Sequence, residues 1–112
     1  ARAGELGPAQ MAATDQVDRD ARVMAMVLTG ELVARLDDPA GRTGRKARGL
    51  LVEGLRDPDD AVRLAAARSL GRVGSPTERA ALETLLDAEG AALRVAAADA
   101  LLRIRPVATP GG

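Results

Sequence analysis

Apolar residues recur along this chain at spacings of three and four, the signature of helices that each bury one face. The first stripe is Val17, Ala21, Met24, Leu28, Leu32 and Leu36. Thr14 or Asp15 can cap its start, and Asp15, Asp18 and Asp20 suit the positive end of a helix dipole. Gly30 weakens the middle and predicts a kink or a break there. The turn formers Asp37-Asp38-Pro39-Ala40-Gly41 then end the segment. A second helix is expected from about Thr43 to Arg56, with Ala47, Leu50, Leu51 and Leu55 inward. Asp57-Pro58-Asp59 stops it, and Asp59 can cap a third helix carrying Val62, Ala65, Ala66, Ser69, Leu70 and Val73 on one face. Gly71 and Gly74 mark its end, and Pro76 opens a fourth helix to about Asp87 with Ala81, Leu82, Leu85 and Leu86. Gly90 separates that from a fifth, Ala91 to Arg103 or Ile104. Residues 1–13 are expected to be irregular and 106–112 to form a flexible Pro/Gly tail.

The third and fifth helices correspond at an offset of 31. Val62 matches Leu93, Ala65 Ala96, Ala66 Ala97, Ser69 Ala100, Leu70 Leu101 and Val73 Ile104. Arg63 and Arg72 match Arg94 and Arg103, and in the preceding helices Leu51 and Leu55 match Leu82 and Leu86. A two-helix unit this short cannot bury its apolar faces alone, and stacked units bury a continuous core. The paired alanines Ala65–Ala66 and Ala96–Ala97 permit close approach of the helix backbones. The run Asp57-Pro58-Asp59-Asp60-Ala61-Val62-Arg63-Leu64-Ala65-Ala66-Ala67-Arg68-Ser69-Leu70-Gly71 resembles HEAT repeats, in particular the short HEAT-like type also found in phycobilin lyases. It returns in degraded form in Leu93-Arg94-Val95-Ala96-Ala97-Ala98-Asp99-Ala100-Leu101, without the Asp-Pro turn. The resemblance implies an all-α fold, a short α-solenoid of about five helices with two HEAT-like repeats over 42–105. Counting back 31 from Val62 and Leu51 lands on Glu31 and Asp20, so residues 14–41 stand outside the register and are expected to form an N-terminal helical cap.

Composition narrows the function. Phe, Tyr and Trp are absent, so Leu, Val, Met and Ala supply all the burial. Cys and His are absent too, which removes disulfides, the thiolate and imidazole metal ligands, and the usual general base. No catalytic, cofactor or metal site is expected. Sixteen basic residues balance 16 acidic ones, which argues against a nucleic-acid or membrane binder. The longest apolar run, Val23 to Leu28, falls far short of the roughly 20 residues that span a bilayer. The expectation is a cytoplasmic, soluble protein–protein interaction or scaffold module that binds another protein or itself.

Candidate binding residues follow from the repeat and from the one segment apolar on all sides. Val23-Met24-Ala25-Met26-Val27-Leu28 offers Met24, Met26 and Leu28 as core or interface, and methionines suit adaptable surfaces. In HEAT-like stacks the second helices line the concave face, which implies that Arg63, Arg68 and Arg94 face a partner, with Leu64 and Val95 as an apolar strip beside them. The resemblance equally implies that Arg63 and Arg94 pair with Asp57, Asp60 or Asp87. The alternative site is the basic cluster Arg42, Arg45, Lys46 and Arg48, able to meet phosphate, although no aromatic residue is present to stack on bases. A bilin-lyase-like activity ranks third, since a shared repeat does not transfer activity.

Overall fold

Residues 7–106 are described by the structure, a computed structural model. The helices are α1 (Pro8–Arg35), α2 (Arg42–Gly54), α3 (Asp60–Val73), α4 (Arg79–Glu83) and α5 (Ala91–Arg103), with no strand among the described residues. Short 3-10 turns, Pro76–Glu78 and Thr84–Asp87, flank α4. α1, α3 and α5 pack in sequence as one layer. α2 packs on both α1 and α3, and α4 with its second 3-10 turn packs on α5.

α3 begins where its turn chemistry dictates. The Asp59 carboxylate accepts from the Ala61 N–H at 2.8 Å, and the Asp57 carboxylate accepts from the Asp59 N–H at 2.9 Å. Both acids hold a donor that would otherwise be unpaired at a helix start. The expected fourth helix is broken into 3-10, α and 3-10 turns. Pro76 occupies its first position, and the Thr84 hydroxyl donates to the Ala81 carbonyl at 2.6 Å, three residues back, where the second 3-10 turn opens. Leu82 and Leu85 are three apart and both buried, the spacing that a 3-10 turn puts on one side.

The core joins both layers. Leu51, Ala66, Ala67, Leu70, Leu82 and Ala97 are fully buried in one cluster, with Leu55, Leu85, Ala100 and Ile104 beside them. Small residues set the spacing in the layer. A Cβ added at Gly30 of α1 would lie 2.8 Å from the Ser69 Cβ of α3. One added at Gly71 of α3 would lie 3.3 Å from the Ala100 Cβ of α5. With no aromatic ring to fill wide gaps, close backbone approach is how this core reaches full packing.

The N-terminal segment differs most from its expectation. α1 starts at Pro8, with Gly7 at the N-cap, so residues 8–13 are helical rather than irregular, and Thr14 sits inside the helix donating to the Gln10 carbonyl at 2.8 Å. Gly30 does not break the helix, and Ser69 packs where its side chain would be. The apolar stripe Val17, Ala21, Met24, Leu28 and Leu32 faces solvent, whereas Gly30 and Val33 are buried and Arg22, Val23, Met26 and Thr29 are half-buried. Residues 1–6 and 107–112, which include most of the expected tail, lie outside the described residues.

Candidate functional site

The layer α1–α3–α5 carries a shallow groove in two stretches. The first, between α1 and α3, is lined by Val23, Val27, Ala61, Leu64, Ala65, Arg68, Ser69 and Arg72. The second, between α3 and α5, is lined by Arg68, Ala91, Ala92, Val95, Ala96 and Asp99. Arg68 belongs to both. Leu64 is half-buried and Val95 is 67% exposed, so the floor is apolar and accessible. No carboxylate lies within ion-pair distance of Arg68 or Arg72 among the described residues, whereas Asp99 is held by Arg103 at 2.9 Å. The groove therefore pairs aliphatic contact area with two uncompensated positive charges.

Ion pairs span the contact between α1 and the start of α3, the first joint of the layer. The Arg22 guanidinium meets the Asp57 carboxylate at 3.0 Å and also Asp18, and Arg19 meets Asp59. The hydrogen bond to Asp57 is the largest cause that raises the Arg22 pKa, with the charges of Asp57, Asp18 and Asp59 adding to it against desolvation. Burial works against the Asp59 charge, but the Ala61 N–H and then Arg19 outweigh it and hold the carboxyl below its ordinary value. The Ser69 hydroxyl donates to the Met26 carbonyl at 3.0 Å, closing the joint from the α3 side.

The remaining expected residues take separate places. Arg63 pairs with Asp60 in the first turn of its own helix, and Arg94 donates to the Ala88 and Glu89 carbonyls at 2.7 and 2.8 Å. Both positions bind local structure. Met26 is half-buried against the core, while Met24 and Leu28 point outward on the opposite side of α1. Of the basic cluster, Arg42, Arg45 and Lys46 are exposed, but Arg48 is not on that surface and is only 6% exposed.

Arg48 enters the core because it has two partners there. Its Nε lies 3.0 Å from Glu78 Oε1, an ionic contact without the angle of a hydrogen bond, and its Nη1 donates to the Pro39 carbonyl at 2.6 Å. Glu78 is likewise buried, and it accepts from the Ser75 N–H and hydroxyl in a capping box. A cleft of about 630 Å³ lies over this pair, with Arg45 among its lining residues. The repeat equivalent of Arg48 is Arg79, whose Nη1 donates to the Leu101 and Ile104 carbonyls, each at 2.7 Å. Arg48 ties α2 to the turn before it, whereas Arg79 ties the start of α4 to the end of α5.

Compared with known proteins, the chain matches a family model described as HEAT repeats over residues 9–103. No curated protein and no solved structure matches the chain.

Proposed function

Because the chain belongs to the HEAT-repeat family, we propose that it is a protein-interaction module whose binding surface is the groove along α1, α3 and α5, and that the partner segment is acidic and amphipathic. The observation that carries this is the combination of an accessible aliphatic floor, Val23, Val27, Leu64 and Val95, with Arg68 and Arg72 lacking acidic partners among the described residues. An amphipathic helix laid in a groove buries its apolar face at i, i+3, i+4 and i+7. Acidic residues beside that face would answer the two arginines. The groove side chains offer no nucleophile paired with a base, which fits recognition better than catalysis.

The test uses fluorescently labelled amphipathic peptides, acidic and basic versions of one apolar pattern, read by anisotropy. The chain contains no aromatic residue, so only the label reports. Tighter binding of the acidic peptide, weakened by Arg68→Glu and by Val95→Glu but not by Arg45→Glu, is the expected result. Equal binding of both peptides, or loss on Arg45→Glu alone, would sink the groove as the site.

A further inference from the structure

One helical glycine has no packing reason to be a glycine. A Cβ added at Gly30, Gly44, Gly54 or Gly71 would crowd a neighbour, which accounts for those positions. Gly49 lies midway along α2, and a Cβ added there meets no heavy atom within 4 Å. Glycine inside a helix weakens it relative to alanine, and no contact within the fold offsets that at Gly49. The residue instead lines the cleft over Arg48 and Glu78.

Arg45, Arg48, Gly49 and Val52 fall at i, i+3, i+4 and i+7, so one face of α2 forms a wall of this cleft. The opposite wall comes from the 3-10 turn before α4 and from α4 itself, with Pro76 and Ala81 as its apolar part. At about 630 Å³ the space falls within the about 300–1,000 Å³ of small-molecule sites. Charge in the lining is unbalanced. Glu78 compensates Arg48, whereas Arg45 has no carboxylate within ion-pair distance among the described residues. Arg48 also has donors to spare. Its side chain is only 7% exposed, yet its Nε makes no hydrogen bond, and its Nη2 makes none among the described residues.

We propose that this cleft binds a small monocarboxylic acid with an aliphatic body. The carboxylate accepts from Arg45 and from Arg48 Nη2, and the chain crosses Gly49 to lie against Val52, Pro76 and Ala81. Charge selects the class. Two guanidinium groups against one carboxylate leave a single positive surplus, which one further carboxylate cancels and a phosphate dianion overshoots. Gly49 then serves as the place where the hydrocarbon passes close to the helix backbone. The cleft shares no lining residue with the groove along α1, α3 and α5, so the two sites stand or fall separately.

The test is titration with hexanoate, followed by heteronuclear NMR of the α2 backbone amides and the arginine Nε–H groups. Saturable shifts at Arg45, Arg48 and Gly49 are expected, with affinity rising about two- to fourfold per methylene from butanoate to hexanoate. Hexylamine and inorganic phosphate should each bind about tenfold more weakly than hexanoate or worse. Gly49→Leu fills the space and Arg45→Ala removes the surplus charge, and each should weaken hexanoate about tenfold or more. Gly49→Ala separates binding from folding, because it should raise the melting temperature while weakening hexanoate. Far-UV circular dichroism establishes that the variants fold. A wild-type chain without saturable shifts to tens of millimolar hexanoate overturns the proposal. So does phosphate that binds as tightly as hexanoate, or a folded Gly49→Leu variant that binds as wild type does. A Gly49→Ala variant less stable than wild type would give that glycine a role in the fold and remove the premise.

Discussion

Glu78→Ala should destabilise the fold more than any surface substitution, for reasons that can be added up from its surroundings. Arg48 and Glu78 are both more than nine-tenths buried as side chains, and an arginine cannot escape by losing its proton. With Glu78 gone, the guanidinium keeps only the neutral Pro39 carbonyl. Breaking a buried pair from one side costs about 3–5 kcal/mol. Ser75 also loses its acceptor for the N–H, a further cost of about 1 kcal/mol on the scale of a lost cap. The total approaches the lower end of the about 5–15 kcal/mol that holds typical domains together. Arg48→Met should cost less, about 1.5–3 kcal/mol, since Glu78 retains both Ser75 donors. The double variant Arg48→Met/Glu78→Met should be more stable than Glu78→Ala, because removing both charges leaves neither one stranded. Urea melts followed by far-UV circular dichroism measure all three. A Glu78→Ala loss below about 1 kcal/mol, or a double variant no more stable than Glu78→Ala, would show that water reaches the pair and that the core does not depend on it.

Three further outcomes are expected. Gly30→Ala should lower stability by about 1–2 kcal/mol, since the methyl group crowds Ser69 and outweighs the about 1 kcal/mol that Ala gains over Gly in a helix; a stabilised variant would mean the joint is loose. Asp59→Asn should flatten the acid limb of melting temperature against pH. The folded-state pKa of Asp59 is lowered, so its contribution is present above the ordinary carboxylate range and is lost as pH falls through the lowered value; an unchanged acid limb would count against that contribution. Arg79→Met should cost about 1.5–3 kcal/mol in the same urea melts by freeing the Leu101 and Ile104 carbonyls at the end of α5, and no measurable loss would place those carbonyls in water.

The repeat over α2 to α5 could be read from sequence because its buried positions are apolar and recur. Val62, Ala66 and Leu70 are buried, and so are their equivalents Leu93 and Ala97, with Leu101 half-buried. The same logic failed on α1 because its inner face is built from Gly30, Val33, Met26, Thr29 and Arg22, mostly small or polar residues, while its apolar stripe faces out. Hydropathy periodicity reports which side is apolar, and at the end of a stack that side need not be covered. Arg48 was misplaced for a related reason. A charge that finds both a carboxylate and a carbonyl inside the core looks like any surface arginine until its partners are known.

The groove divides along the same line. Leu64, Arg68 and Val95 could be placed on it from the repeat, because a helix position shared at an offset of 31 fixes a shared face. Val23 and Val27 could not, since α1 lies outside the offset of 31 and only its contact Gly30–Ser69, the counterpart of Gly71–Ala100, places it in the layer at an offset of 41. Once α1 is placed there, its two sides separate by role. Met26 and Gly30 are spent on the contact with α3, Val23 and Val27 on the groove, and Met24, Leu28 and Leu32 remain on an exposed face. An all-apolar segment that sequence alone left undivided therefore splits by side, Met26 toward the core and Met24 and Leu28 toward solvent, because one helix presents its residues all round.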